Sequence, residues 1–213
     1  MMGSLEDILY RYQRPWLTDV DISVLYTGTP DSRYGQVKRL LAQVKLIHIR
    51  RGLYCLGEKM GRVIKPHPFE LAQYIYGPSY ISLESALSFH GLIPEAVYEI
   101  TSTCIKRAKT FQTPLGVFSY MHLPSENFYL DVEIVTESNA QFFIAKPWKA
   151  MCDYVFCYKK NWKGLAPLFE SLRIDQDELP ILSDIDIERL DAYYQNLRIS
   201  HFLKWVSREL NRN

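Results

Sequence analysis

Between Thr29 and Lys45 the apolar residues Tyr34, Val37, Leu41 and Val44 recur at three- and four-residue spacing. That period predicts a helix from about Pro30 to Gln43 with those side chains on its buried side. At about 100° per residue the opposite side presents Ser32, Gly35, Gln36, Arg39 and Gln43, with Lys38 on the flank. Thr29 supplies an N-cap oxygen and Pro30 the fixed φ of a first turn. Two shorter helices precede it. One runs from Leu5 to Tyr12 and stops near Pro15; the other covers 18–26, with Val20, Val24 and Leu25 as its apolar stripe. Beyond Val44 the period drops to two, and KLIHIRRGLYCLG reads as a β-hairpin with Arg50-Arg51-Gly52 at its tip. Helices followed by such a hairpin have the order of a winged helix-turn-helix, whose third helix enters the major groove. Gly35 lowers helix stability, and a close backbone approach to DNA is a reason to keep it.

Residues 58–68 carry two prolines and a glycine with no sustained period, and read as a linker. A helix over 69–76 stops at Gly77-Pro78. The next starts at Ser82, whose side chain is the expected N-cap, and carries Leu83, Ala86, Leu87 and His90 at helical spacing before Gly91 and Pro94. Strands are predicted near 97–102, 116–123, 131–136 and 141–145, with the 116–123 strand preceded by a partner across the Pro114-Leu115-Gly116 turn. Helices follow over 147–158, 165–172, 184–196 and 200–210; the third takes its apolar bulk from Ile185, Leu190, Tyr193, Tyr194 and Leu197. The chain is thus read as α+β, with a DNA-binding unit over 1–62 and a mixed unit ending in helices over 63–213.

Composition adds little, since 47% apolar and 23% charged residues describe an ordinary globular chain. Charge distribution adds more. Residues 31–62 hold eight Lys/Arg against two Asp/Glu in a chain whose net charge is +1, so the basic excess sits on the third helix and hairpin. Concentration of this kind is the footprint of a phosphate-binding surface. Ser32, Arg33, Gln36, Lys38, Arg39, Gln43, Arg50 and Arg51 are therefore the candidate DNA contacts. A second cluster, Lys106, Arg107 and Lys109, lies between two predicted strands and is read as an exposed loop, a second nucleic-acid contact or a surface for an acidic partner. No uncharged apolar run approaches the ~20 residues of a membrane span, and the start of the chain lacks a signal-peptide layout. Cys55, Cys104, Cys152 and Cys157 form no C-x-x-C pair, so reduced thiols in a cytoplasmic protein are expected.

Candidate catalytic groups are sparse. Gly3-Ser4 with Asp19 and Asp21 has the outline of a nucleotidyltransferase pattern, but aspartates two apart on a helix diverge by ~200° and cannot share a metal. Asp184 and Asp186 suit the positive end of a helix. Asp131 and Glu133 share a strand face without the lysine a restriction-type nuclease needs, and His201 with Cys157 has no ligand spacing. His90, on the apolar side of its helix, reads as packed and hydrogen-bonded. No metal, cofactor or catalytic residue is assigned, and the chain is read as not an enzyme.

Three blocks in order, RRGLY at Arg50–Tyr54, YISLESALSFHGLIPE at Tyr80–Glu95 with TFQTPLGVFSYMHL after it, and AKPWKAMCD at Ala145–Asp153, resemble the AbiEi family. These are antitoxins of bacterial type IV toxin–antitoxin (abortive infection, phage-defence) systems. The third block departs from the family's A-x-P-E-K-A-L-x-D at Trp148, where an acidic residue is usual. The resemblance implies a winged-helix N-terminus that binds operator DNA, with inverted repeats expected, and represses its own operon. It also implies a C-terminal region opposing a nucleotidyltransferase-like toxin without a necessary stable complex. A stand-alone transcriptional regulator is the alternative, and a nuclease or nucleotidyltransferase with an unrecognised site is a third reading.

Overall fold

A computed structural model describes residues 4–61, 65–94, 98–124 and 126–211. Gly3, residues 62–64 of the expected linker and the start of the strand expected at 97 lie outside the described residues.

The first unit runs α1 (Leu5–Tyr10), β1 (Trp16–Thr18), α2 (Asp19–Leu25), α3 (Pro30–Ala42), β2 (Leu46–Arg50) and β3 (Leu53–Leu56). The three strands form an antiparallel sheet in the order β1-β3-β2, with Trp16 opposite Cys55 and Ile47 opposite the same cysteine. Each helix start is closed by a side chain. Ser4 and Thr18 form reciprocal capping boxes with Asp7 and Asp21, and Thr29 accepts from the Ser32 amide. The capping bond to Ser4 holds the exposed Asp7 carboxyl below its ordinary range.

β1 was not expected, since Trp16 and Leu17 pair with β3 just before Thr18, where the second helix was expected, caps α2. The apolar stripes also differ from expectation. On α2, Ile22 is buried while Val20 and Val24 are exposed; on α3, Val37 and Leu40 are buried while Tyr34 is exposed. α3 keeps Val37 and Leu41 inward and only exchanges Tyr34 for Leu40, whereas α2 buries the side nearly opposite Val20 and Val24.

The small sheet is covered on both sides. Leu17 and Leu46 pack with Leu5, Leu9, Ile22 and Leu40 under the helices. Trp16, Ile49, Leu53 and Cys55 point the other way and belong to the core of the second unit. Strand alternation sends neighbouring residues to opposite faces, so the hairpin contributes to two cores at once.

The second unit follows as α4 (Pro68–Ile75), β4 (Ser79–Ile81), α5 (Leu83–Phe89), β5 (Glu99–Cys104), β6 (Lys109–Thr113), β7 (Gly116–His122), β8 (Val132–Glu137), β9 (Ala140–Ala145), α6 (Pro147–Cys157), α7 (Ala166–Ser171), α8 (Asp184–Tyr194) and α9 (Leu197–Leu210). Its six-stranded sheet has the order β6-β7-β5-β4-β9-β8, with β4/β9 and β5/β7 parallel. The architecture is α+β throughout. α4 lies on the sheet, and the Tyr120 hydroxyl donates to the Ala72 carbonyl at 2.6 Å. α5 packs on β5 and against α6, with α9 on α6's flank.

β4 was not expected; its three residues are too few to show alternation, and all are buried. Ser82 occupies the N-cap of α5 but makes no side-chain capping bond; its hydroxyl is drawn into the core instead. Leu83, Ala86 and Leu87 are fully buried, and Gly91 takes the left-handed conformation expected of it, at φ 72°. On α8, Leu190 and Tyr194 are buried, whereas Ile185 and the nearby Leu197 are exposed.

Candidate nucleic-acid interface

α3 presents its polar face to solvent. Ser32, Lys38, Arg39 and Gln43 are exposed, and Arg33 and Gln36 half-buried. Arg39 is held along the helix surface by its guanidinium donating to the Gln36 side-chain carbonyl at 2.5 Å. The Ser32 hydroxyl lies 3.0 Å from that of Tyr26. Gly35 has open space where a Cβ would stand, so this stretch of backbone can be approached. Tyr34 joins the exposed face, one helical turn before Lys38; its apolar ring placed it inside by periodicity, and nothing in the sequence marked it as outward. Lys45 is withdrawn from the surface by an ion pair with Glu6.

The hairpin tip divides its two arginines. Arg51 is exposed in the turn. Arg50 donates from both Nε and a terminal nitrogen to the Tyr74 carbonyl, at 3.2 and 2.9 Å. That carbonyl lies in the last turn of α4, where the helix dipole favours a cation. Trp16 reinforces the junction, donating its indole N–H to Glu70 at 2.7 Å and lying against the Tyr74 ring at a 35° tilt with centroids 3.9 Å apart.

The second basic cluster meets the same helix end. Lys106 donates to the Gly77 carbonyl and lies 5.2 Å above the Tyr76 ring. The Arg107 carbonyl accepts from the Tyr76 hydroxyl at 3.2 Å. Lys109, the first residue of β6, sits 4.7 Å over Phe111. Arg50 and Lys106 are 56 positions apart in sequence, yet both close carbonyls of Tyr74–Gly77. Arg107 and Lys109 remain exposed beside them. Basic side chains of both units are thereby gathered around one end of α4.

In the second unit, residues of two separated sequence blocks form one buried polar centre. On α6, Lys149 and Asp153 stand one turn apart and are both fully buried. The Lys149 ammonium donates to Asp153 at 2.5 Å, to the Tyr80 hydroxyl at 2.6 Å and to the Tyr194 hydroxyl at 3.0 Å. All three of its protons are used. Asp153 also accepts from Ser82 at 2.6 Å, Tyr194 at 2.6 Å and Tyr80 at 3.0 Å. Burial, and then the Asp153 charge, push the Tyr80 and Tyr194 hydroxyls well above their ordinary range. A satisfied, sealed centre of this type fixes how β4, α6 and α8 meet; it presents no open face to a substrate. Trp148 next to it is buried and donates its indole N–H to the Pro180 carbonyl at 2.9 Å, a contact an acidic side chain cannot make.

Three of the carboxylates considered from sequence have other partners. Asp21 caps α2, Asp131 pairs with Arg189 at 3.0 Å, and Asp186 binds both Ser183 and Arg189. His90 lies 2.9 Å from the Ala145 carbonyl. No three His, Cys, Asp or Glu among the described residues gather as metal ligands, and no described helix is long and apolar enough to cross a membrane. In comparisons with known proteins, no family model matches the chain and no curated protein matches it significantly.

Proposed function

We propose that this protein is a winged-helix DNA-binding regulator that represses its own operon and serves as the antitoxin of an AbiEi-like type IV pair. The observation carrying the DNA-binding reading is α3, whose exposed face offers Ser32, Lys38, Arg39 and Gln43 in front of a β1-β3-β2 sheet. The order α1-β1-α2-α3-β2-β3 is the one in which a third helix enters the major groove beside a hairpin. Ser32, Gln36 and Gln43 are suited to base edges, and Lys38, Arg39 and Arg51 to phosphates. The antitoxin role rests on the residue blocks resembling the AbiEi family. Two of them supply one buried centre, with Tyr80 and Ser82 from the first and Lys149 and Asp153 from the second, so the matching residues are ones that hold this fold together.

The test pairs an operator-binding assay on the DNA upstream of the gene with co-expression beside the neighbouring open reading frame. Salt-dependent, sequence-selective binding together with rescue from that neighbour's toxicity is the expected result. Selective binding without rescue would leave a stand-alone regulator. A metal-dependent nuclease or nucleotidyl-transfer activity in purified protein, with no selective binding, would overturn the reading.

A further inference from the structure

A cavity of about 570 Å³ opens between the two units, lined by Val44, Ile47 and Leu56 on one side and Leu71, Leu115 and Phe118 on the other. Its volume falls within the ~300–1,000 Å³ of small-molecule sites, which favour such junctions. The floor is dry, since Leu71, Phe118 and Cys55 are each 1% exposed. The mouth is not. Val44 remains 48% and Leu115 39% exposed.

Val44 is an unusual residue for its position. The chain leaves α3 through paired bonds from the Val44 amide to the Leu41 carbonyl and from the Lys45 amide to the Leu40 carbonyl. This motif puts its penultimate residue in the left-handed region, where glycine is the usual occupant. Here a β-branched residue takes φ 56°, which is sterically unfavourable, and its own fold covers only half of it. Three charged residues complete the lining: Glu58, Lys59 and Lys65. Among the described residues, none of their side chains makes an ion pair or hydrogen bond. An apolar floor below two unpaired lysines and one carboxylate has the polarity of a receptor for a molecule with one negative end.

We propose that this cleft is a binding site for a small amphipathic monoanion, an organic acid whose apolar body lies between Val44 and Leu115 and whose acidic group meets Lys59 and Lys65. Binding is reversible and non-covalent. The Cys55 thiol in the wall is pushed up to about 12 by burial and stays protonated. The site uses none of the candidate DNA contacts, so it stands or falls apart from the regulatory reading.

The test is fluorescence titration of the full chain with 8-anilinonaphthalene-1-sulfonate, in competition with decanoate or decylamine. One saturable site is expected, displaced by decanoate at least tenfold more readily than by decylamine. The Lys59→Glu/Lys65→Glu variant should bind the dye at least tenfold more weakly. Val44→Gly should also weaken it severalfold while keeping the fold, because glycine suits the left-handed position; thermal unfolding of each variant checks this. Decanoate should raise the unfolding temperature of the wild type and not of the double variant. Equal dye affinity in folded wild type and variants, no saturable binding, or equal displacement by the two competitors would overturn the proposal.

Discussion

Arg50 and Arg51 are adjacent, identical and basic, yet their surroundings separate them. Arg51 is exposed at the hairpin tip, whereas Arg50 closes the carbonyl end of α4 through Tyr74. If phosphate contact follows exposure, Arg51→Ala and Arg39→Ala should each reduce the log K against log salt slope by about 1. Arg50→Ala should leave the slope nearly unchanged and lower stability by about 1 kcal/mol, the order of one such bond in a partly exposed setting. Equal slope losses at both arginines would show that Arg50 leaves Tyr74 to meet DNA. Lys149 shows the buried case of the same chemistry. Lys149→Met should cost about 3–5 kcal/mol, because it strands Asp153 as an unpaired buried charge. Lys149→Met with Asp153→Leu should recover a large part of that in urea unfolding. A single variant as stable as wild type would refute the assignment of the pair as the centre's anchor.

At the scale of elements, α5 is the clearest structural helix. Its Leu83, Ala86 and Leu87 are wholly enclosed between β5 and α6. Leu87→Ala is expected to destabilise the protein by about 2–5 kcal/mol through the cavity it leaves. Chemical denaturation measures this, and a loss below about 1 kcal/mol would mean the helix is not packed as described. α3 was legible as a helix, from its cap to its last turn, because Thr29-Pro30 and the period are local signals. Which arc it buries was only partly legible. Tyr34 and Leu40 are both apolar, and the choice of Leu40 depends on where α1 and the small sheet stand. β1 and β4 have three residues each, too few to reveal a period, and exist through pairing with β3, β5 and β9.

For the whole molecule, the two units are less separable than their charge pattern implies. Trp16, Ile49, Leu53 and Cys55 lie in the core of the second unit, so a fragment ending near residue 62 would expose one face of its sheet to water. Burial also gives the protein a common alkaline response. The Cys55 thiol is raised to about 12 by desolvation, and Cys152, Cys157, Tyr80, Tyr120 and Tyr194 are shifted upward for the same leading reason. Each folded value lies above the unfolded one, ~8.5 for Cys and ~10 for Tyr, so the folded state binds more protons there. This contribution is fully present below about pH 8.5 and is lost as pH rises toward and beyond 12. Urea midpoints measured from pH 7 to 11 should be level up to about 8.5 and then fall; a midpoint rising above pH 9 would contradict the burial of these groups.

The sequence by itself determined the α+β composition, most helices and strands of five or more residues, the Thr29 cap of α3 and the placement of basic charge on α3 and the hairpin. These follow from periods, caps and turns that act within a few residues. Tertiary structure alone decided that Arg50 and Lys106 meet at the end of α4, that Ser82 serves Asp153 rather than its own helix, and that the hairpin feeds two cores. It also decided that Val44 stands strained and half-open beside a cavity shared by both units. Each of these joins groups far apart in the chain, and a local pattern carries no record of the partner that burial or charge will select across that distance.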